Sequence, residues 1–244
     1  MKKNTVLVFM FFGSLISAQV DYTVAIFGGP GINIYDNYYE TDKRHFKFKN
    51  SFSGFIGVRL TKALGEMDHL FMDAVITRKK IEYEYKLNEP EIPFNNKDII
   101  GQKYNTYSIY FGYKRIIPSY ILQIYFESSV GADYNRNVVF FGRGNGSFED
   151  APLNEDSITY ESIAQTNLGE SNITMSGNLG FGINVGKQNQ FDIGLIFNFP
   201  FQKIQSKVGT FDMKWEYERK QYRHHLEYLG NVYYPALKIT YYIF

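Results

Sequence analysis

From Ile173 to Val185 every odd-numbered residue is apolar or glycine, and every even-numbered one is polar or glycine. That is the period of a strand with one oily face and one polar face. In a soluble barrel the oily face would turn inward. Here the polar face carries small residues (Ser176, Gly180, Gly182), which suit a narrow, crowded interior better than a solvated surface. The residues after 20 contain no apolar run long enough for a membrane-crossing helix. If the chain sits in a membrane it must do so as a closed barrel, because only helices and closed barrels satisfy every backbone group there.

Seven more segments read as strands: Val20–Gly29, Phe52–Thr61, Leu70–Thr77, Thr106–Ile116, Tyr120–Asp133, Gln190–Phe199 and Tyr233–Phe244. The connections alternate in length. Lys62–Asp68, Ile117–Ser119 and Gly186–Asn189 are short, whereas Pro30–Ser51, Arg78–Asn105, Tyr134–Asn172 and Pro200–Val232 are long. Short turns on one side and long loops on the other predict an all-β fold. It is an eight-stranded antiparallel transmembrane β-barrel with short periplasmic turns and long extracellular loops. Ten strands follow instead if a long loop hides another hairpin. The Gly28-Gly29-Pro30-Gly31 run blurs the end of the first strand.

Charge placement tests the facing. Arg59, Asp73, Glu127 and Asp192 each stand opposite a strongly apolar set, such as Ile56, Val58 and Leu60 for Arg59. A basic side chain on the lipid face near the bilayer centre costs about 2–4 kcal/mol, so the charges must point inward. Lys114 and Lys238 join this lumen cluster. An eight-stranded interior is just wide enough for side chains to fill, which favours a plug of ion pairs over a selectivity element of a pore. Arg59 and Asp73, flanking the Lys62–Asp68 turn on neighbouring strands, are predicted to pair. In the last strand, inward Lys238 leaves Phe244 on the lumen parity unless a bulge shifts the phase. Pro235 lacks a ladder donor and is predicted near the outer rim.

The N-terminus has a secretory layout: Lys2 and Lys3, an apolar stretch from Val6 to Ile16, then the small pair Ser17-Ala18. Residues 1–18 are read as a cleaved signal peptide and 19–244 as one barrel domain. There is no Cys, so no disulfide framework exists. Basic and acidic residues number 26 and 25, with no charge block to suggest nucleic acid. The chain has 21 Tyr and 22 Phe against one Trp, an excess suited to the aromatic girdles of a membrane barrel.

Four motifs carry a resemblance: Gly54-Phe-Ile-Gly-Val58, Tyr110-Phe-Gly-Tyr113, Gly177-Asn-Leu-Gly-Phe-Gly182 and Tyr241-Tyr-Ile-Phe244. With them the mature chain resembles the porin-like outer-membrane β-barrel domain family of Gram-negative bacteria. The resemblance implies residence in outer-membrane lipid. It also implies delivery by the barrel-assembly machinery through a C-terminal strand ending at Phe244. It implies no cofactor and little about activity, because the fold hosts many tasks.

The long connections hold two alternating aromatic and charged stretches, Arg78–Lys86 and Lys214–Tyr222. They read as strands continuing past the membrane. Tyr83, Tyr85, Trp215 and Tyr217 are the candidate contacts for an unidentified extracellular or envelope protein. His224-His225 is the one hint of a triad, and no Ser stands beside it in sequence. No catalytic or metal-binding set is assigned. The reading is a non-enzymatic outer-membrane protein, structural or surface-binding through its loops. A narrow channel, a secretion accessory and a lipid-modifying barrel enzyme are the alternatives.

Overall fold

The computed structural model describes residues 22–40, 46–86, 97–118, 122–142, 159–167, 173–185, 190–201, 208–217 and 220–243. The proposed signal peptide and Phe244 lie outside them. The strands are β1 (Tyr22–Glu40), β2 (Phe46–Lys49), β3 (Ser51–Ala63), β4 (Asp68–Lys86), β5 (Lys97–Ile117) and β6 (Gln123–Gly142). They continue with β7 (Thr159–Asn167), β8 (Ile173–Val185), β9 (Phe191–Pro200), β10 (Val208–Tyr217) and β11 (Lys220–Tyr242).

Eight of these form the barrel, in the order β1-β3-β4-β5-β6-β8-β9-β11, and β1 pairs with β11 to close it. Every neighbouring pair is antiparallel. Closure leaves no sheet edge at membrane depth, as a lipid-embedded sheet requires. The other three strands lie off the barrel wall. β2 runs beside the far end of β4, with Phe46 opposite Tyr85. β10 pairs with β11 over Lys220–Leu229, beyond the Tyr234–Tyr241 stretch that β9 occupies, and β7 pairs with β10.

The strands run further than the sequence pattern suggests. A membrane-crossing strand needs about 9–11 residues, yet β4 has 19 and β11 has 23. On β4 the outward apolar set Leu70, Met72 and Ile76 gives way to exposed Arg78, which marks the end of the belt. The β4–β5 ladder continues past that point to Lys86 opposite Lys97. Arg78–Lys86 therefore extends the barrel wall. Lys214–Tyr222 does not form one strand: it folds into a hairpin, with Tyr217 opposite Lys220.

Strand one is also corrected. The Gly28–Gly31 run does not end it, and β1 pairs with β3 without interruption from Tyr22 to Asn33. Pro235 stands one rung from the outer end of the β9–β11 ladder, near the rim expected for it, although β11 itself runs on past it. It lies within β11, opposite Phe197 of β9. Both prolines are tolerated because of where their missing donors point. Ile243 donates to the Val24 carbonyl across the β1–β11 seam, and Tyr242 donates to Gln190 on the other side. Alternation then turns even residues of β1 and odd residues of β11 toward the seam. Pro30 and Pro235 thus remove donors from successive rungs of that one seam, sparing the β3 and β9 ladders. Cα pairing across it skips from Gly28–Ile239 to Gly31–Ala236 and then to Ile34–Tyr233. Gly29 lets the seam close tightly, for a Cβ there would lie 1.9 Å from the Leu237 carbonyl oxygen.

The seam is expected to be the first part of the wall to open. Hydrogen exchange of the protein in detergent should show Ile32, Ile34, Tyr233 and Leu237 amides exchanging before those of Phe55–Thr61 in the β3–β4 hairpin. Equal protection of the two regions would contradict the donor count.

Candidate functional site

The inward and outward faces differ as a membrane barrel requires. Arg59 and Lys238 are each 1% exposed, whereas Ile56 is 65% and Phe111 is 61% exposed. The outward positions of β3, β4, β6, β8 and β9 carry Val58, Leu70, Phe126, Leu179 and Leu195, all exposed. Aliphatic and aromatic side chains outside and ions inside invert the arrangement of a water-soluble barrel.

The lumen is packed in three tiers. At the end bearing the short Leu64–Met67 turn, Lys114 Nζ reaches Asp192 Oδ2 at 2.6 Å and the Tyr242 hydroxyl at 2.9 Å. The Tyr242 hydroxyl donates to the same carboxylate oxygen at 2.6 Å, and Asn184 Nδ2 donates to Asp192 Oδ1 at 2.8 Å. The Lys114 ammonium also lies 4.4 Å from the centre of the Tyr125 ring.

The middle tier spans the barrel. Arg59 of β3 grips Asp73 of β4 in a fork, Nε to Oδ1 and an Nη to Oδ2, both at 2.7 Å. This geometry matches a planar guanidinium to a carboxylate. The register places the two residues directly opposite. The other Nη of Arg59 reaches Glu127 Oε2 of β6, also at 2.7 Å, and Lys238 of β11 donates to Glu127 Oε1. The guanidinium carbon lies 3.6 Å from the centre of the Phe71 ring. Because β3 and β6 stand three places apart in the barrel order, these bonds bridge the lumen from wall to wall.

The outer tier centres on Asp133 of β6. It accepts from the Ser108 and Tyr110 hydroxyls at 2.6 Å and from Ser176 Oγ at 2.9 Å. Asn198 Nδ2 donates to the Tyr110 hydroxyl at 3.1 Å, and Lys79 Nζ donates to Asn198 Oδ1 at 3.3 Å. Lys79 also lies 3.8 Å from Asp133. Across the tiers, Arg59, Lys79, Lys114 and Lys238 face Asp73, Asp133, Glu127 and Asp192. Each buried charge has an opposite partner, which is what burial at this depth demands.

The structure thus brings together all six residues of the lumen cluster read from the sequence, in two tiers. The reading missed Lys79, Tyr110, Asp133 and Asn198. Lys79 shares the parity of Asp73, Asp133 that of Glu127 and Tyr110 that of Lys114. Asn198 shares that of Asp192, so extending the inward parity along each strand finds all four. The backbones of Tyr83, Tyr85, Trp215 and Tyr217 lie on β4 and β10. Their side chains lie outside the described residues. In the same extension the register sets Asp212 opposite His225 and Met213 opposite His224, with Ser162 opposite Met213 one strand further away. The side chains at these positions lie outside the described residues. Among the described residues no three His, Cys, Asp or Glu side chains gather as a metal site would require.

A ladder that closes on itself, an apolar belt and a charge-compensated interior define an eight-stranded transmembrane β-barrel, the architecture of bacterial outer-membrane proteins. No protein-family model and no curated protein matches the chain. Among solved structures it is similar to the outer membrane protein OprG from Pseudomonas aeruginosa. Identity is 11% over 92% of this chain and 97% of that one, with a TM-score of 0.43. An outer membrane channel from Pseudomonas putida F1 is 10% identical over 93% and 97% of the two chains, with a TM-score of 0.28. The translocator domain of the autotransporter NalP from Neisseria meningitidis is 8% identical over 98% and 96%, with a TM-score of 0.25. At these values the class rests on ladder closure and side-chain facing, not on the likenesses.

Proposed function

We propose that the chain is a non-conducting, non-enzymatic outer-membrane barrel that carries β-structure beyond the membrane for contact with a surface partner. The observation that carries this reading is the middle tier. Arg59, Asp73, Glu127 and Lys238 bond across the lumen and leave no unpaired charge in that tier to attract an ion. A conducting filter needs sites that an ion can both enter and leave. A bidentate, buried guanidinium pair offers none. Beyond the belt, β4, β5 and β11 continue as paired strands, and β2, β7 and β10 add to them. A hydrogen-bonded extension of this kind presents paired backbone to a partner, so less chain has to be ordered on binding, which lowers the entropic cost. In this reading a signal peptide directs export. The assembly machinery receives β11, the strand that completes the ladder against β1.

The test is conductance. Purified protein in planar bilayers is expected to give no ionic steps above the lipid baseline. Reproducible steps that change when Glu127 is replaced by glutamine would establish a channel instead.

A further inference from the structure

The end of the barrel that bears the Leu64–Met67 turn holds a cavity of about 580 Å³, within the range of small-molecule sites. Three cross-strand pairs surround it: Thr23 with Thr61, His69 with Lys114, and Gln123 with Asn184. Directly opposed residues share a face of the sheet. The pairs therefore build one ring of hydrogen-bonding groups around the mouth, drawn from β1, β3, β4, β5, β6 and β8. The middle tier crosses the lumen beyond the Lys114–Asp192 floor, so the cavity is a cup open at the end that bears the Leu64–Met67 turn.

The ring is not satisfied from within. Thr61 is only 6% exposed, and its hydroxyl oxygen has no hydrogen-bond partner among the described residues. His69 Nε2 and Gln123 Oε1, on half-buried side chains, are also enclosed atoms with no partner among the described residues. Enclosed polar groups are paired as a rule, so these atoms are met by water in the cup or by a ligand that displaces it. Charge selects the class of ligand. The one ammonium at the floor, Lys114, is already matched by Asp192. Glu66 on the wall is itself a carboxylate. Among the described lining residues no net positive charge remains to hold an anion. The groups left to recognise a ligand are hydroxyls, a carboxamide and an imidazole, beside the apolar surfaces of Met67 and Ile116. We infer that this cup binds an uncharged ligand rich in hydroxyl and amide groups, of the size and chemistry of an N-acetylated amino-sugar disaccharide.

The inference is independent of what the extracellular strands do. It is tested by isothermal titration of the full-length barrel in detergent with N,N′-diacetylchitobiose, with inorganic phosphate titrated in parallel. Saturable binding in the millimolar range or tighter is expected for the disaccharide, and none for phosphate. Thr61→Val and Gln123→Leu should each weaken it about fivefold to tenfold, the loss of one neutral hydrogen bond. The heat-dependent gel mobility of the folded barrel should be unchanged. Two variants are used so that one folding failure leaves the other to decide. Absence of saturable binding, affinity unchanged in the folded variants, or phosphate binding as tightly as the disaccharide would overturn the proposal.

Discussion

Replacing Arg59 by methionine is expected to destabilise the barrel by about 3–5 kcal/mol, the cost of stranding buried charges without a partner. Arg59 serves two carboxylates. Its loss leaves Asp73 with no cation at salt-bridge distance among those described, while Glu127 keeps Lys238. Asp73→Asn should cost less, since Arg59 retains Glu127 and an asparagine oxygen still accepts one of the two forked bonds. The order of the two single effects is therefore fixed by the asymmetry of the network, not by the charge removed. The double variant should cost less than the sum of the singles, with a coupling of about 1–3 kcal/mol. Urea unfolding of all four proteins in one detergent or lipid system measures it. Additivity would show that the two residues act independently. An Asp73→Asn effect larger than that of Arg59→Met would place the main anchor of Asp73 elsewhere.

The facing of these residues was legible in the sequence because the bilayer punishes the alternative. Arg59 against Ile56, Val58 and Leu60 admits one orientation only, and the structure has it. The same logic worked wherever an apolar face and a charge shared a strand. It stopped at the edge of the belt. From Arg78 to Lys86 the alternation continues, with Arg78, Lys80, Glu82, Glu84 and Lys86 on one face and Lys79, Ile81, Tyr83 and Tyr85 on the other, but no lipid-facing aliphatic set marks which face is inward. The membrane segment read from the pattern therefore stops at Thr77, and Lys79 is absent from the lumen cluster although the strand is read on to Lys86. In β6 Asp133 closed the predicted strand, yet it pairs with Ser108 well inside the ladder.

Glycine and proline misled for a related reason. Gly28–Gly31 reads as a turn because isolated sequence cannot say which neighbour a missing donor would face. In a closed barrel it faces a single seam, and β3 holds the strand straight from the other side. The unbroken alternation of Tyr233, Leu237, Ile239 and Tyr241 as outward residues shows that no bulge shifts β11 before Tyr242. The phase of Phe244 itself lies outside the described residues.

The other large effect belongs to the glycines opposite Tyr125. Gly182 and Gly194 are direct cross-strand partners on β8 and β9. The Tyr125 side chain, 1% exposed, fills the space that two absent side chains leave. A Cβ on Gly194 would stand 2.3 Å from the Tyr125 hydroxyl oxygen and 2.4 Å from the Phe181 carbonyl oxygen. One on Gly182 would stand 2.3 Å from the Ile193 carbonyl oxygen and 2.7 Å from the same hydroxyl. The constraint is space, and a wall hydrogen-bonded on both sides cannot step back. Gly194→Ala is expected to cost about 1–3 kcal/mol by overpacking. Gly194→Leu is expected to prevent the barrel from reaching its heat-modifiable folded form. Adding Tyr125→Phe to Gly194→Ala should recover only part of the loss, because it removes the hydroxyl contact and leaves the Phe181 carbonyl in place. Full recovery would mean that the backbone contact is soft. No recovery would mean that Tyr125 does not set the space at this level of the lumen. Urea unfolding beside the parent protein reads both, and the second result would require a different packing of β6 against the β8–β9 wall.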